Sequence, residues 1–407
     1  MPRSDRPRIE TLAVTAARPP DPPPGSAAPA VQPIVPAVGY THPTLDDTDA
    51  ALGYEGGTPF EPGAYVYTRY GGPTQAALEE AVAQLEGAEA ALSYASGMAA
   101  LHAALLALVP PGGALLAAEQ LYGGTRALVD WLHASGYARV TLLDFLDLAA
   151  VEQAIADTHP AAILCETLTN PLVQVIEVDR IAQMAQAADV ALLVDNTFAT
   201  PYLLRPLDLG ATMVAHSTTK FLNGHGDVLG GVIAGAGAAM DTAYQHRRFM
   251  GAMPSAFDAW LTLRGMRTLA VRMRQACEGA AQVAAWLDQH PGIARVHYPG
   301  LPADPGHEAA RRLFGGERFG SMIAFDVAGL DRAAAFAFVE RLRVIRPVTS
   351  LGDVFSLILH PASASHRALT PEQRAAQGIH EGTLRLSVGI EHPDDLIADL
   401  AQALAGA

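Results

Sequence analysis

The sequence predicts an α/β protein: a mostly parallel central sheet flanked by helices, followed by a smaller C-terminal α+β domain. From residue 74 onward, segments with helical apolar spacing alternate with short apolar runs over about 180 residues, the pattern of a wound sheet. Two of those runs, 161–165 (Ala-Ala-Ile-Leu-Cys) and 190–194 (Val-Ala-Leu-Leu-Val), are apolar without alternation, as strands buried on both faces are. Beyond residue 255 the texture changes to one long helical stretch and then shorter strands.

Taken in order, residues 1–65 read as an N-terminal arm. Its first 35 or so are expected to be loose, because Pro19, Pro20, Pro22, Pro23, Pro24, Pro29 and Pro33 defeat helix and sheet alike. In the large domain, 66–255, residues 75–85 and 121–135 read as helices, 98–108 as an apolar helix and 114–118 as a strand. The domain 256–407 is expected to begin with a helix over 257–289 and to carry strands at 321–327 and 383–388. Neither an internal repeat nor a Walker or dinucleotide motif is present.

Half of the residues are hydrophobic and 17% are charged, which is ample for large cores. A net charge of -15 repels nucleic acid and anionic membrane surfaces, so small molecules are the expected ligands. The two cysteines, Cys165 and Cys277, give neither a disulfide framework nor a metal-ligand spacing and fit a reducing compartment. Residues near the start include Asp5 and Glu10 and form no apolar signal core, and the apolar run 228–240 is short and cut by glycines. A cytoplasmic protein is expected.

Of the 27 lysines and arginines, one is a lysine, Lys220. Either an arginine-rich composition left it behind, or it is kept for what arginine cannot do: lose a proton and attack a carbonyl to form a Schiff base. Lys220 ends the strand-like run that opens at 211–215, and Asp195 ends the run 190–194. A carboxylate at a strand end either caps it or faces a site at that sheet edge. Together the two groups suit pyridoxal 5'-phosphate (PLP), whose ring nitrogen needs an anion and whose aldehyde needs an amine. Ser96-Gly97-Met98 opens the apolar helix and offers free backbone N–H groups to a phosphate, and Ser217 and Thr219 alternate just before Lys220.

Residues 195–202 (Asp-Asn-Thr-Phe-Ala-Thr-Pro-Tyr), followed by 216–227 and Gly230-Gly231, resemble the lysine signature of the Cys/Met-metabolism family of PLP enzymes. That family includes cystathionine γ-synthase, cystathionine γ-lyase, methionine γ-lyase and the homoserine-ester sulfhydrylases. The likeness runs from about Glu10 to the C-terminus through Tyr67-Thr68-Arg69, Tyr122-Gly123-Gly124-Thr125, residues 166–171, His360-Pro361-Ala362 and residues 385–389.

The resemblance implies a fold type I PLP-dependent transferase architecture and carbon–sulfur lyase or alkyl-transfer chemistry of transsulfuration: γ-elimination or γ-replacement on homoserine-ester, cystathionine or methionine-type substrates. It implies that Lys220 binds the cofactor covalently, that Asp195 pairs with the ring nitrogen, and that Tyr122 stacks on the ring and moves protons. Asn170 would bond the ring oxygen. Ser96, Gly97, Met98, Thr197, Ser217 and Thr219 would serve the cofactor, with Tyr67 and Arg69 reaching the phosphate from a neighbouring subunit. Arg385, with Ser350 and Asn170, would grip the substrate carboxylate. The resemblance thus implies a homodimer with shared sites, paired into a tetramer, and no metal.

Three positions depart from the family's patterns. Gly72 stands where Asn often precedes Pro-Thr, Phe355 where lyases carry a glutamate for cystathionine's distal amine, and Gly124 where methionine γ-lyases carry cysteine. An apolar Phe355 cannot pair that amine. The segments 350–353 and 360–363 look nearer the sulfhydrylase and methionine-lyase side. A fold type I enzyme of another class, such as a β-lyase or aminotransferase, and a non-catalytic scaffold are the alternatives.

Overall fold

A computed structural model describes residues 6–52, 65–329 and 331–405. The large sheet contains β1 (Ala90–Tyr94), β2 (Gly113–Ala118), β3 (Ala138–Leu143), β4 (Ala162–Glu166), β5 (Ala191–Asp195), β6 (Met213–Ser217) and β7 (Gly231–Gly235). Their order is β1-β7-β6-β5-β4-β2-β3. Pairings from β3 through to β6 are parallel, whereas β7 runs antiparallel to both β6 and β1. The apolar runs are therefore the inner strands: β4 is buried along its whole length and β5 through Leu192, Leu193 and Val194. Each buried Leu, Ile or Val among them contributes about 1.5–3 kcal/mol by leaving water.

A second sheet contains β8 (Ile293–His297), β9 (Met322–Val327), β10 (Arg346–Pro347), β11 (Leu357–Leu359) and β12 (Thr383–Ser387), in the order β10-β11-β12-β9-β8. Apart from the short parallel pair β10–β11, its pairings are antiparallel.

The structure departs from the sequence reading in three places. The Pro-rich start is not loose throughout, because Ile9–Thr15 is helical and buries Leu12 and Ala13 against the core. The stretch expected as one helix over 257–289 is two, Ala256–Met266 and Leu269–Asp288. Near the end of the first, Gly265 lies so close to Asn223 that a Cβ there would sit 2.1 Å from its carbonyl oxygen, and the Arg272 guanidinium donates to the Gly265 carbonyl. Finally, Lys220 does not end a strand. It lies in the turn after β6, where its N–H donates to the Ser217 carbonyl at 3.2 Å.

Candidate active site

Glu166, Asp195 and Ser217 are the last residues of three adjacent parallel strands, and all three line one cavity of about 410 Å³. A wound sheet puts ligands at that edge because the loops leaving its strands diverge there. Ser96, Gly97, Met98, Tyr122, Asn170, Thr197, Thr219, Lys220 and Arg385 line the same cavity.

Lys220 Nζ donates to Ser350 Oγ at 3.0 Å. Burial and the nearby Arg385 guanidinium lower its pKa, with Asp353 opposing. Arg385 is 3% exposed and donates through Nη1 to Asn170 Oδ1 at 2.8 Å and through Nη2 to the Ser350 carbonyl at 3.3 Å. Burial pulls it down to about 10, and its Nε has no hydrogen-bond partner. Glu391 does not share Arg385, for it accepts from the Ser356 N–H and hydroxyl.

Burial raises Asp195, while hydrogen bonds from the Thr197 hydroxyl (2.6 Å) and N–H (3.0 Å), and the charge of His216, pull it back. The Thr197 hydroxyl also accepts from the Ser217 N–H at 2.9 Å, coupling the ends of β5 and β6. Beside Asp195, burial and that like charge hold Glu166 well above the usual carboxylate range. Glu166 accepts the Tyr122 N–H at 2.5 Å. Sequence reading gave Glu166 no role, although it ends its apolar run just as Asp195 does.

Ser96 caps the helix Gly97–Leu108 by accepting from the Ala99 N–H at 3.1 Å. The N–H groups of Gly97 and Met98 are first-turn donors that intrahelical carbonyls cannot reach. At Gly97 a Cβ would sit 2.8 Å from that of Ser217, so glycine lets the helix start meet the end of β6. These donors, the Ser217 and Thr219 hydroxyls, the neutralisable amine of Lys220 and the half-buried acid Asp195 form a set that fits PLP: a phosphate cradle, an aldehyde partner and a ring-nitrogen partner.

Tyr67 and Arg69 are not brought to this cavity within the chain. Tyr67 is 42% exposed, and the Arg69 guanidinium lies 5.5 Å from its ring and donates to the Arg248 carbonyl. Phe355 is also outside the lining; Leu101, Leu168, Phe198, Leu229, Thr349, Leu351, Leu359, Ala364 and Ser365 form the remaining wall. Gly72 does not line the cavity; a Cβ there would sit 2.8 Å from Gln75 Oε1 and 3.1 Å from Thr68 Oγ1.

The sequence profile of the Cys/Met metabolism PLP-dependent enzymes matches residues 10–405. The chain belongs to that family. As a member it is a PLP-dependent enzyme of cysteine and methionine metabolism. It is 41% identical over 357 residues to an O-succinylhomoserine sulfhydrylase of Pseudomonas aeruginosa, covering 88% of this chain and 87% of that one. It is also 41% identical over 355 residues to an L-methionine gamma-lyase of Porphyromonas gingivalis, covering 86% and 88%. The crystal structure of cystathionine gamma synthase from Xanthomonas oryzae pv. oryzae, in complex with aminoacrylate and cysteine, superposes with a TM-score of 0.88 at 38% identity, covering 98% of this chain and 97% of that one. The fold type I PLP architecture follows from that likeness. Among the described residues no helix is long and apolar enough to cross a membrane, and no His, Cys, Asp and Glu cluster forms a metal site.

Proposed function

We propose that this enzyme carries out γ-elimination or γ-replacement on amino acids with a leaving group on Cγ, with homoserine esters and methionine-type thioethers as its substrates. The observation that carries the reading is Ser350. Its hydroxyl holds the Lys220 amine at 3.0 Å and its carbonyl holds Arg385 at 3.3 Å. A substrate whose carboxylate meets the Arg385 fork therefore has its Cα and Cβ within reach of the amine that moves their protons. When bound, PLP supplies the electron sink for those proton removals.

In this reading Lys220 holds the cofactor and Asp195 faces its ring nitrogen. Tyr122 covers the ring, Asn170 bonds the ring oxygen, and Gly97, Met98, Ser217 and Thr219 hold the phosphate, with Ser96 and Thr197 fixing the helix start and Asp195. Substrate choice rests on the wall. The acidic residues lining the cavity, Glu166 and Asp195, end β4 and β5, while Leu229, Leu351, Leu359 and Ala364 are apolar. Such a wall suits an ester or thioether better than a distal ammonium.

We further propose a homodimer, paired into a tetramer, in which Tyr67 and Arg69 complete the phosphate site of a second copy. Tyr67, Phe249, Met250 and Phe257 are exposed apolar side chains that a partner would cover. A cytoplasmic location accords with Cys165 and Cys277, both free and buried.

The test crosses O-acetyl- and O-succinylhomoserine, methionine and cystathionine with sulfide, cysteine and no thiol. The expected result is homocysteine from an ester with sulfide and 2-oxobutanoate without thiol. Pyruvate from cystathionine as the main product would move the enzyme to β-elimination and overturn the reading.

A further inference from the structure

The strands that place Glu166, Asp195 and Ser217 in the cavity carry a second row of polar residues on their other face. Glu166 pairs in register with Asp195, and Asp195 with Ala215, so these side chains share the cavity face. The next residues along, Thr167, Asn196 and His216, point the opposite way, and none is more than 2% exposed. The ladder continues through them: the Thr167 N–H donates to the Asp195 carbonyl at 3.1 Å and the Asn196 N–H to the Ala215 carbonyl at 2.9 Å.

Their side chains are joined across the strands. The Thr167 hydroxyl donates to Asn196 Oδ1 at 2.7 Å. Asn196 Nδ2 donates to the Leu204 carbonyl at 2.8 Å and lies 3.5 Å from Glu86 Oε1, and His216 Nε2 pairs with that same oxygen at 2.6 Å. Glu86 is the last residue of the helix Pro73–Glu86 and is wholly buried. An acid at a helix C-terminus opposes the helix dipole, and Glu86 Oε2 and His216 Nδ1 are buried without a partner. A desolvated carboxylate in an unfavourable helix position is costly to keep.

We propose that Glu86, acting through His216 and Asn196, is a positioning residue for Asp195 and Ser217. By clamping the far face of β5 and β6 where they end, it fixes the carboxylate and hydroxyl on the near face. This role rests on the cavity being the cofactor site.

The test is made on holoenzyme, comparing parent, Glu86→Gln, Thr167→Val and Glu79→Gln. Gln at 86 keeps the shape and removes the charge, and Val at 167 keeps the shape and removes the Asn196 bond. Glu79 is a buried control: it accepts from Ser93 and Arg247, and does not line the cavity. Glu86→Gln is expected to move the visible absorption maximum of the bound cofactor and to speed its release about tenfold, the size of one charged hydrogen bond. Thr167→Val should shift both in the same direction by less, and it decides the matter alone if Glu86→Gln does not fold. Glu79→Gln should leave the absorption maximum where it is. An unchanged maximum and release rate in folded Glu86→Gln, or the same shift in the Glu79 control, overturns the proposal. Parent protein that takes up no PLP would sink the site assignment itself.

Discussion

Ser350 joins the Lys220 amine to the Arg385 guanidinium, its hydroxyl accepting from one at 3.0 Å and its carbonyl from the other at 3.3 Å. Ser350→Ala removes the first contact and leaves the second, since the carbonyl belongs to the backbone. The variant should bind PLP and lose about tenfold in kcat with little change in KM, the cost of one hydrogen bond to a charged group. Steady-state kinetics on a homoserine ester checks it.

Lys220→Arg should fold and keep its charge but leave the absorption of added PLP like that of the free cofactor, because a guanidinium cannot give up its proton and form the bond that shifts it. In the parent, borohydride reduction followed by peptide mapping should find the cofactor on Lys220 alone.

Arg385→Lys keeps the charge and loses the fork that meets Asn170 and Ser350. A loss of about 10–100-fold in kcat/KM is expected, expressed mainly as a higher KM, while PLP absorbance stays. An unchanged KM would remove Arg385 from substrate binding.

A Cβ at Gly124 would lie 2.6 Å from Tyr122 Cε1 and 3.2 Å from Met98 Sδ, so a side chain there requires the Tyr122 ring to move. Gly124→Ala should turn the Tyr122 ring and lower kcat by about a hundredfold, as misplaced catalytic groups do. The folded variant's cofactor absorption band should shift with it.

Burial and Arg385 lower the Lys220 pKa from 10.5, so the folded apoprotein binds the lysine proton less well than the unfolded chain does. The stability cost is complete below the folded value and vanishes as pH rises past the unfolded one. Apo Lys220→Met should therefore melt above the apo parent at pH 7, and the gap in Tm should close toward pH 10.5. A gap that widens with pH would contradict the sign.

The inner strands were legible because burial on both faces leaves an uninterrupted apolar run, and β4 and β5 have one each. Edge strand β3 has no such run, because Arg139 and Thr141 interrupt it and its residues beyond Ala138 stay partly exposed, and it was not singled out. Lys220, Asp195 and the helix start at Gly97 stood out because each carries its chemistry within a few residues. The Glu86–His216 contact spans 130 positions, and Ser350 meets Lys220 across another 130. Such distant pairs exist only once the chain has folded, so no local pattern announces them. The break at residues 267–268 was hidden for the same reason, since its cause lies in Asn223 and Arg272 rather than in a proline or a cap.

Turning the single lysine inward has a practical consequence for anyone handling this protein. Reagents that acylate side-chain amines find none on the outside, where arginine supplies the positive charge. Labelling at Lys220 can proceed only where the cofactor has left its amine free, so the extent of modification at that residue, read by mass spectrometry of the peptide that carries it, becomes a gauge of vacant sites without any turnover assay.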